Sequence, residues 1–281
     1  SIMALPAVAA LKRRDAGCRI VVLSRSSVGA VWSLLEAVDS CVSVETGIAG
    51  ALRSASRVRA AQVDCAYILP NSFRSGLIPF LARVPRRIGL PGHGRSWMLS
   101  GVVSLSAAAL AAHQSREYAE ILGVDADRLS LPELKLPDDV VARCLARLGG
   151  DRDAMRVALV PGAARGPSKR WPAEHFAAVG RHLTSALGAQ CVVLGTRDER
   201  QLCETVRDAA GGESVCLAGE TDLLEFAAAL QLCRLAVTND SGGMHLAAAV
   251  GTTVVVVYGR TDPAKTGPLG DGHVILQQSS R

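Results

Sequence analysis

Val237-Thr238-Asn239-Asp240-Ser241-Gly242-Gly243-Met244-His245-Leu246-Ala247-Ala248-Ala249 is the stretch on which the reading of this 281-residue chain turns. Its β-branched start reads as a strand and its alanine-rich end as a helix, so Asn239, Asp240 and Ser241 lie where a strand hands over to a helix. That is the edge at which open α/β sheets bind ligands. Glycine at 242 and 243 lets the backbone approach a ligand closely. The unpaired N–H groups of the first helical turn, with the helix dipole, then make an anion site that fits a diphosphate. Two plainer readings stand beside this one. Asp240 or Ser241 can be an ordinary N-cap, worth about 1 kcal/mol, and His245 can be a hydrogen-bonded histidine on a half-buried helix.

The same strand-to-helix pattern recurs on both sides. Strands are expected at 156–160, 190–194, 214–217, 235–238 and 253–258, with helices at 173–187, 198–210, 223–233 and 242–250. The first half repeats it, with strands at 19–23, 41–44, 64–69 and 86–89 and helices at 28–38, 50–60, 72–83 and 106–122. Such alternation means βαβ units and parallel sheets. Between 125 and 153 the pattern loosens into a proline-containing segment and a short helix ending at Gly149-Gly150, where the linker is placed. The expected fold is therefore α/β, with two doubly wound Rossmann-like domains at 1–150 and 151–281 facing a cleft.

A second loop of the same kind runs Val160-Pro161-Gly162-Ala163-Ala164-Arg165-Gly166-Pro167-Ser168-Lys169-Arg170-Trp171-Pro172. Pro172 stands at a favoured first helical position. Lys169 and Arg170 would stand at the binding edge of the sheet, where a cation stabilises the charge that develops on a departing nucleoside diphosphate. Taken alone, they read equally well as two solvated surface cations.

Composition narrows the class. With 49% hydrophobic and 20% charged residues the chain is a folded globular one. Aromatic residues at 4% leave few stacking platforms for single-stranded nucleic acid, so no nucleic-acid partner is expected. The net charge of +5 is almost wholly arginine, since lysine occurs only at Lys12, Lys135, Lys169 and Lys265; genome composition explains this as well as anion recognition does. Eight scattered cysteines without a Cys-x-x-Cys pair point to reduced thiols in a cytoplasmic protein rather than to a disulfide framework or zinc site. The longest uncharged stretch, 96–112, falls short of the roughly 20 apolar residues that span a bilayer. No Gly-x-Gly-x-x-Gly follows a strand, which argues against a dinucleotide-dependent dehydrogenase.

Four motifs together resemble glycosyltransferase family 9, and within it the heptosyltransferase II group. They are Asn239-Asp240-Ser241-Gly242-x-Met244-His245, the segment from Gly162 to Pro172, Leu217-Ala218-Gly219-Glu220-Thr221, and Leu69-Pro70-Asn71-Ser72-Phe73-Arg74-Ser75. The resemblance implies a GT-B fold, an N-terminal acceptor domain, a C-terminal domain for ADP-heptose, and inverting transfer to the lipopolysaccharide inner core without an essential metal or other cofactor. It gives Lys169 a place beside the diphosphate and reacting sugar, and gives Asp240 the heptose hydroxyls. It assigns donor contacts to Gly162, Ala163, Ser168, Arg170, Asn239, Ser241, Gly242, Gly243, Met244 and His245, ribose contact to the turn holding Thr196 and Glu199, and the adenine pocket to Thr221. A loop at Tyr258-Gly259-Arg260-Thr261-Asp262-Pro263 also matches, with no role assigned.

The chain departs from that family in three places. Gly162-Ala163-Ala164 stands where a Gly-Ala-Glu is usual. The resemblance also places the family's first strand and its general-base aspartate ahead of Ser1, and a closing helix beyond Arg281. A base of that kind contributes about 10²- to 10⁴-fold in rate. Acceptor contacts are expected at Asn71, Ser72, Arg74, Arg86, Arg87 and Arg95, because arginine forks pair with phosphate and carboxylate. The same basic face would suit anionic headgroups at the inner membrane, although a solvated charge run accounts for many such residues.

Overall fold

The computed structural model describes residues 2–163 and 169–277. These residues form two compact units, which divide between Pro132 and Glu133. The division falls ahead of the 150/151 boundary read from the sequence. The reason is that the helix Asp138–Arg147 buries Val140, Val141 and Cys144 and packs on the helix Leu223–Gln231 of the second unit. It ends where Gly149 and Gly150 turn into left-handed backbone, at φ 95° and 80°.

In the first unit the apolar opening segment is a helix, Leu5–Arg14, which buries Leu5 to Ala10. Strand β1 (Val21–Arg25) pairs in parallel with β2 (Ser40–Val44). A separate parallel ladder joins β3 (Cys65–Ile68), β4 (Arg86–Gly89) and β5 (Gly101–Val102). The helix Gly47–Ala60 turns Ala51, Ala55 and Val58 onto Ile78, Ala82 and Val84. Its approach to the preceding turn is so close that a Cβ on Gly50 would stand 2.7 Å from the carbonyl carbon of Glu45. The helix expected at 106–122 is two, Ala107–Ala111 and Gln114–Leu122. At the break the His113 ring accepts from the Ser115 N–H at 3.2 Å. A side chain that satisfies a backbone donor locally competes with helix continuation, and here it starts a new helix.

The second unit holds β6 (Arg156–Val160), β7 (Gln190–Val193), β8 (Val215–Cys216), β9 (Leu235–Asn239), β10 (Thr253–Tyr258) and β11 (Val274–Gln277). They form one parallel sheet in the order β11-β10-β9-β6-β7-β8. The central strands are continuous runs of buried residues, as expected for a sheet covered on both faces. Val157, Leu159, Phe176, Cys191, Val193 and Val206 share one core, each full burial of such a side chain stabilising by about 1.5–3 kcal/mol. All eight cysteines are free, and Cys144, Cys191, Cys203 and Cys233 are buried. Burial pushes the thiols of Cys203 and Cys233 up to about 12, which makes them inert.

Candidate functional site

β6 and β9 are neighbours, and from them the sheet winds in opposite directions, through β7 to β8 on one side and through β10 to β11 on the other. The loops leaving the carboxyl ends of two such strands diverge and leave a crevice, the usual ligand site of an open α/β sheet. Asn239, fully buried, ties the two loops together. Its Nδ2 donates to the Pro161 carbonyl at 2.8 Å, and its Oδ1 accepts from the Trp171 N–H at 2.9 Å. Trp171 packs edge-on against Phe176 of the core, with ring centroids 5.2 Å apart. Lys169 and Arg170 immediately precede this anchor, so the end of the loop that carries them is held in place.

Lys169 Nζ pairs with Asp240 Oδ2, the two side chains being 21% and 8% exposed. Two sequence-distant loops thus bring a cation and a carboxylate together at the crevice. Thr261, from the loop after β10, donates through Oγ1 to the same carboxylate oxygen at 2.8 Å. Lys169, Asp240, Gly259, Arg260 and Thr261 line a recess. Nothing local in the sequence around Thr261 signalled this contact, because it depends on β9 and β10 being adjacent.

The helix Gly242–Ala249 starts beside that recess. Ser241 precedes it with extended backbone, and its side chain makes no capping bond; its hydroxyl oxygen is buried without a hydrogen-bond partner among the described residues. The N-cap alternative therefore does not hold for Ser241. A Cβ on Gly243 would stand 2.9 Å from Val160 Cγ1, whereas one on Gly242 would meet nothing within 4 Å. One side of the helix start presses on the end of β6 while the other faces open space.

The neighbouring turns close on the same edge. Glu199 accepts through Oε2 from both the N–H and the Oγ1 of Thr196, each at 2.9 Å. Its other oxygen lies where a Cβ on Gly162 would be, 2.2 Å away, so the loops after β6 and β7 touch there. Arg170 stands 3.9 Å from Glu199 and donates to the Ala163 carbonyl at 3.4 Å. The Gly219 N–H bonds the Gly195 carbonyl at 3.1 Å, which joins the turn before half-buried Thr221 to the turn that carries Thr196. Ser168 lies outside the described residues. His245 is half-buried on the helix.

Several expected contacts need correction. Met244 is fully buried under the helix, with its sulfur 3.6 Å from the Tyr258 hydroxyl oxygen, so it supports the site from below. Ala163 and Asn239 are also buried and contribute by shaping the loops. In the first unit the expected acceptor cluster divides. Asn71 and Ser72 are exposed beyond the carboxyl end of β3, with Ser72 capping the helix Phe73–Leu81, and Arg74 donates to the backbone carbonyl of Glu45. Arg95 is fully buried and saturated by protein: Nε and Nη2 donate to the Leu90 carbonyl at 3.0 and 2.8 Å, and Nη1 serves Pro70, Ser72 and Ser75. It cannot meet an acceptor, and it holds the loop that carries Asn71.

Arg86 and Arg87 lie opposite Cys65 and Ala66 at the amino end of the β3–β4 ladder, away from Asn71 and Ser72. Arg87 donates to the Met98 carbonyl at 2.6 Å and stacks over Phe80 at 5.7 Å. Arg87 and Phe80, together with Arg59, Arg83, Leu52 and Leu81, line a groove of their own. Proximity in sequence had grouped arginines that the parallel ladder separates.

Among the described residues no three His, Cys, Asp or Glu side chains are grouped to hold a metal ion, and no helix is long and apolar enough to cross a membrane. The profile of glycosyltransferase family 9 (heptosyltransferase) matches residues 51–281. Lipopolysaccharide heptosyltransferase 2 of Escherichia coli K12 is 33% identical over 224 residues, which cover 75% of this chain and 64% of that protein. Lipooligosaccharide heptosyltransferase 2 of Haemophilus ducreyi is 32% identical over 235 residues, covering 77% of this chain and 66% of its relative. The chain thus spans about two thirds of the length of these curated relatives. The solved structure of E. coli ADP-heptose LPS heptosyltransferase II superposes with a TM-score of 0.87 at 27% identity, covering 98% of this chain and 86% of that one.

Proposed function

The chain belongs to glycosyltransferase family 9 and has its GT-B fold, and on that premise we propose that it transfers heptose from ADP-heptose to the lipopolysaccharide inner core with inversion at the sugar carbon. The observation that carries this reading is the convergence of Lys169 and Asp240 beside an open helix start. In the proposed reaction the donor's diphosphate sits on the backbone N–H groups of Gly242 and Gly243 and draws Lys169 away from Asp240. Lys169 then meets the negative charge that grows on the departing ADP, a task that in this reading needs no metal ion. Asp240, released, accepts hydrogen bonds from the heptose hydroxyls. Thr196 and Glu199 take the ribose and Thr221 the adenine. The second unit is the donor domain, and the first presents Asn71 and Ser72 to the acceptor.

The test is ADP release from ADP-heptose by the full-length protein in the presence and absence of a lipopolysaccharide-type acceptor. Acceptor-dependent release is expected. Binding of ADP-heptose with no acceptor-dependent release would instead identify a nucleotide-sugar binding protein without catalysis.

A lipid-linked acceptor places the work at the cytoplasmic face of the inner membrane. The groove of the first unit suits that surface. Ile48, Leu52 and Trp97 are 86%, 55% and 63% exposed, Trp97 leans on Phe80 of the groove with centroids 5.0 Å apart, and Arg59, Arg83 and Arg87 line it. Basic residues near anionic headgroups contribute about 1 kcal/mol each. Replacing Leu52 and Trp97 together by serine is expected to cut co-sedimentation with phosphatidylglycerol vesicles several-fold, by loss of apolar insertion at about 25 cal/mol per Å². Equal co-sedimentation of the variant and the parent would remove this face from the account.

A further inference from the structure

The loop at 258–262 lines the recess but has no part in the reaction described above. It is pinned from several sides. Tyr258 is fully buried and its hydroxyl donates to the Thr266 carbonyl at 2.7 Å. The Asp262 carboxylate accepts from the Ala264 N–H at 2.9 Å and caps the short helix Pro263–Thr266. From β11, Gln277 Nε2 donates to the Thr261 carbonyl at 3.3 Å. The backbone of Thr261 is therefore set before any ligand arrives, with Oγ1 2.8 Å from Asp240 Oδ2.

We propose that Thr261 is a positioning residue that keeps Asp240 aimed at the donor sugar once Lys169 has gone to the diphosphate. The inference rests on the donor reading above and deepens it. Lys169 and Thr261 both take Oδ2, which leaves Oδ1 for a ligand hydroxyl. With Lys169 in place, Asp240 has two donors. When the diphosphate recruits the lysine, the threonine hydroxyl is what remains on the carboxylate among the described side chains. A carboxylate that is 8% exposed and has lost both donors is costly to keep charged in a recess. Without Thr261 it would turn away from the sugar. Thr261 thus acts on sugar recognition, through Asp240, and not on recognition of ADP.

The experiment compares ADP-heptose with ADP by calorimetric titration of the chain and two variants. Thr261→Val keeps the shape and removes the donor. It is expected to weaken ADP-heptose binding by about tenfold or more, as for a hydrogen bond to a charged group, with ADP binding unchanged. Thr261→Ser keeps the hydroxyl and is expected to bind both ligands as the parent does. Three results overturn the proposal: a valine variant that binds ADP-heptose normally, one that loses ADP by the same factor, or a serine variant as weak as the valine one. The last two would mean that the threonine merely supports the loop. If the parent chain binds neither ligand, the donor reading falls and this inference with it, and that outcome is seen before any variant is made.

Discussion

Replacing Lys169 with alanine is expected to lower acceptor-dependent ADP release by about 10²-fold or more, the usual cost of removing one donor aimed at developing negative charge. Two effects add. The leaving diphosphate loses the cation that Trp171 and Asn239 hold in place. Asp240, almost wholly buried, loses its ion-pair partner, and a buried carboxylate left without a partner is itself unfavourable. Lys169→Arg should recover only part of the rate, because a planar fork does not replace a compact ammonium at a crowded recess. Steady-state rates at saturating donor decide the matter. A loss of less than about tenfold would mean that Lys169 is not placed against the leaving group in the reacting complex.

Arg95→Met is expected to destabilise the chain by about 3 kcal/mol or more, since it orphans the carbonyls of Leu90, Pro70 and Ser72 and leaves part of the guanidinium's volume unfilled. For a unit of this size that corresponds to a fall in Tm of roughly 10 °C. Burial lowers the Arg95 pKa from its ordinary value, yet an arginine stays protonated in proteins, so its carbonyl partners serve a full cation. Thermal unfolding separates this role from acceptor binding. If Tm is unchanged and only the KM for acceptor rises, the guanidinium reaches the acceptor and its structural role is refuted.

Arg95 also shows where sequence reading stopped. The alternation of strands and helices was legible because β-branched runs and amphipathic helices carry their own periods, and the loop at 239–243 was legible because strand, polar residues and glycine pair sit side by side in the chain. Lys169 and Asp240 could be named from their two loops, but their pairing could not be read, since it depends on β6 lying next to β9. Thr261 is the same case one strand further along. Arg86, Arg87 and Arg95 were grouped because they are close in sequence, whereas a parallel ladder sends the two ends of a strand to opposite edges. The break at His113 was missed because a single ring nitrogen, and not hydropathy, decides it.

The central pairing of β6 with β9 has a consequence for how the second unit comes into being. During synthesis β6, β7 and β8 emerge first and can zip together, but the inner edge of β6 waits for residues 235–239 before it is covered. Closing that long loop is the slow, high-contact-order event of the unit. Asn239 and Asp240 arrive with the strand that closes it. A nascent chain halted after β8 therefore carries Lys169 and Thr196 but neither Asp240 nor the helix start at Gly242, and the two loops that face each other across the crevice meet only once β9 has docked beside β6.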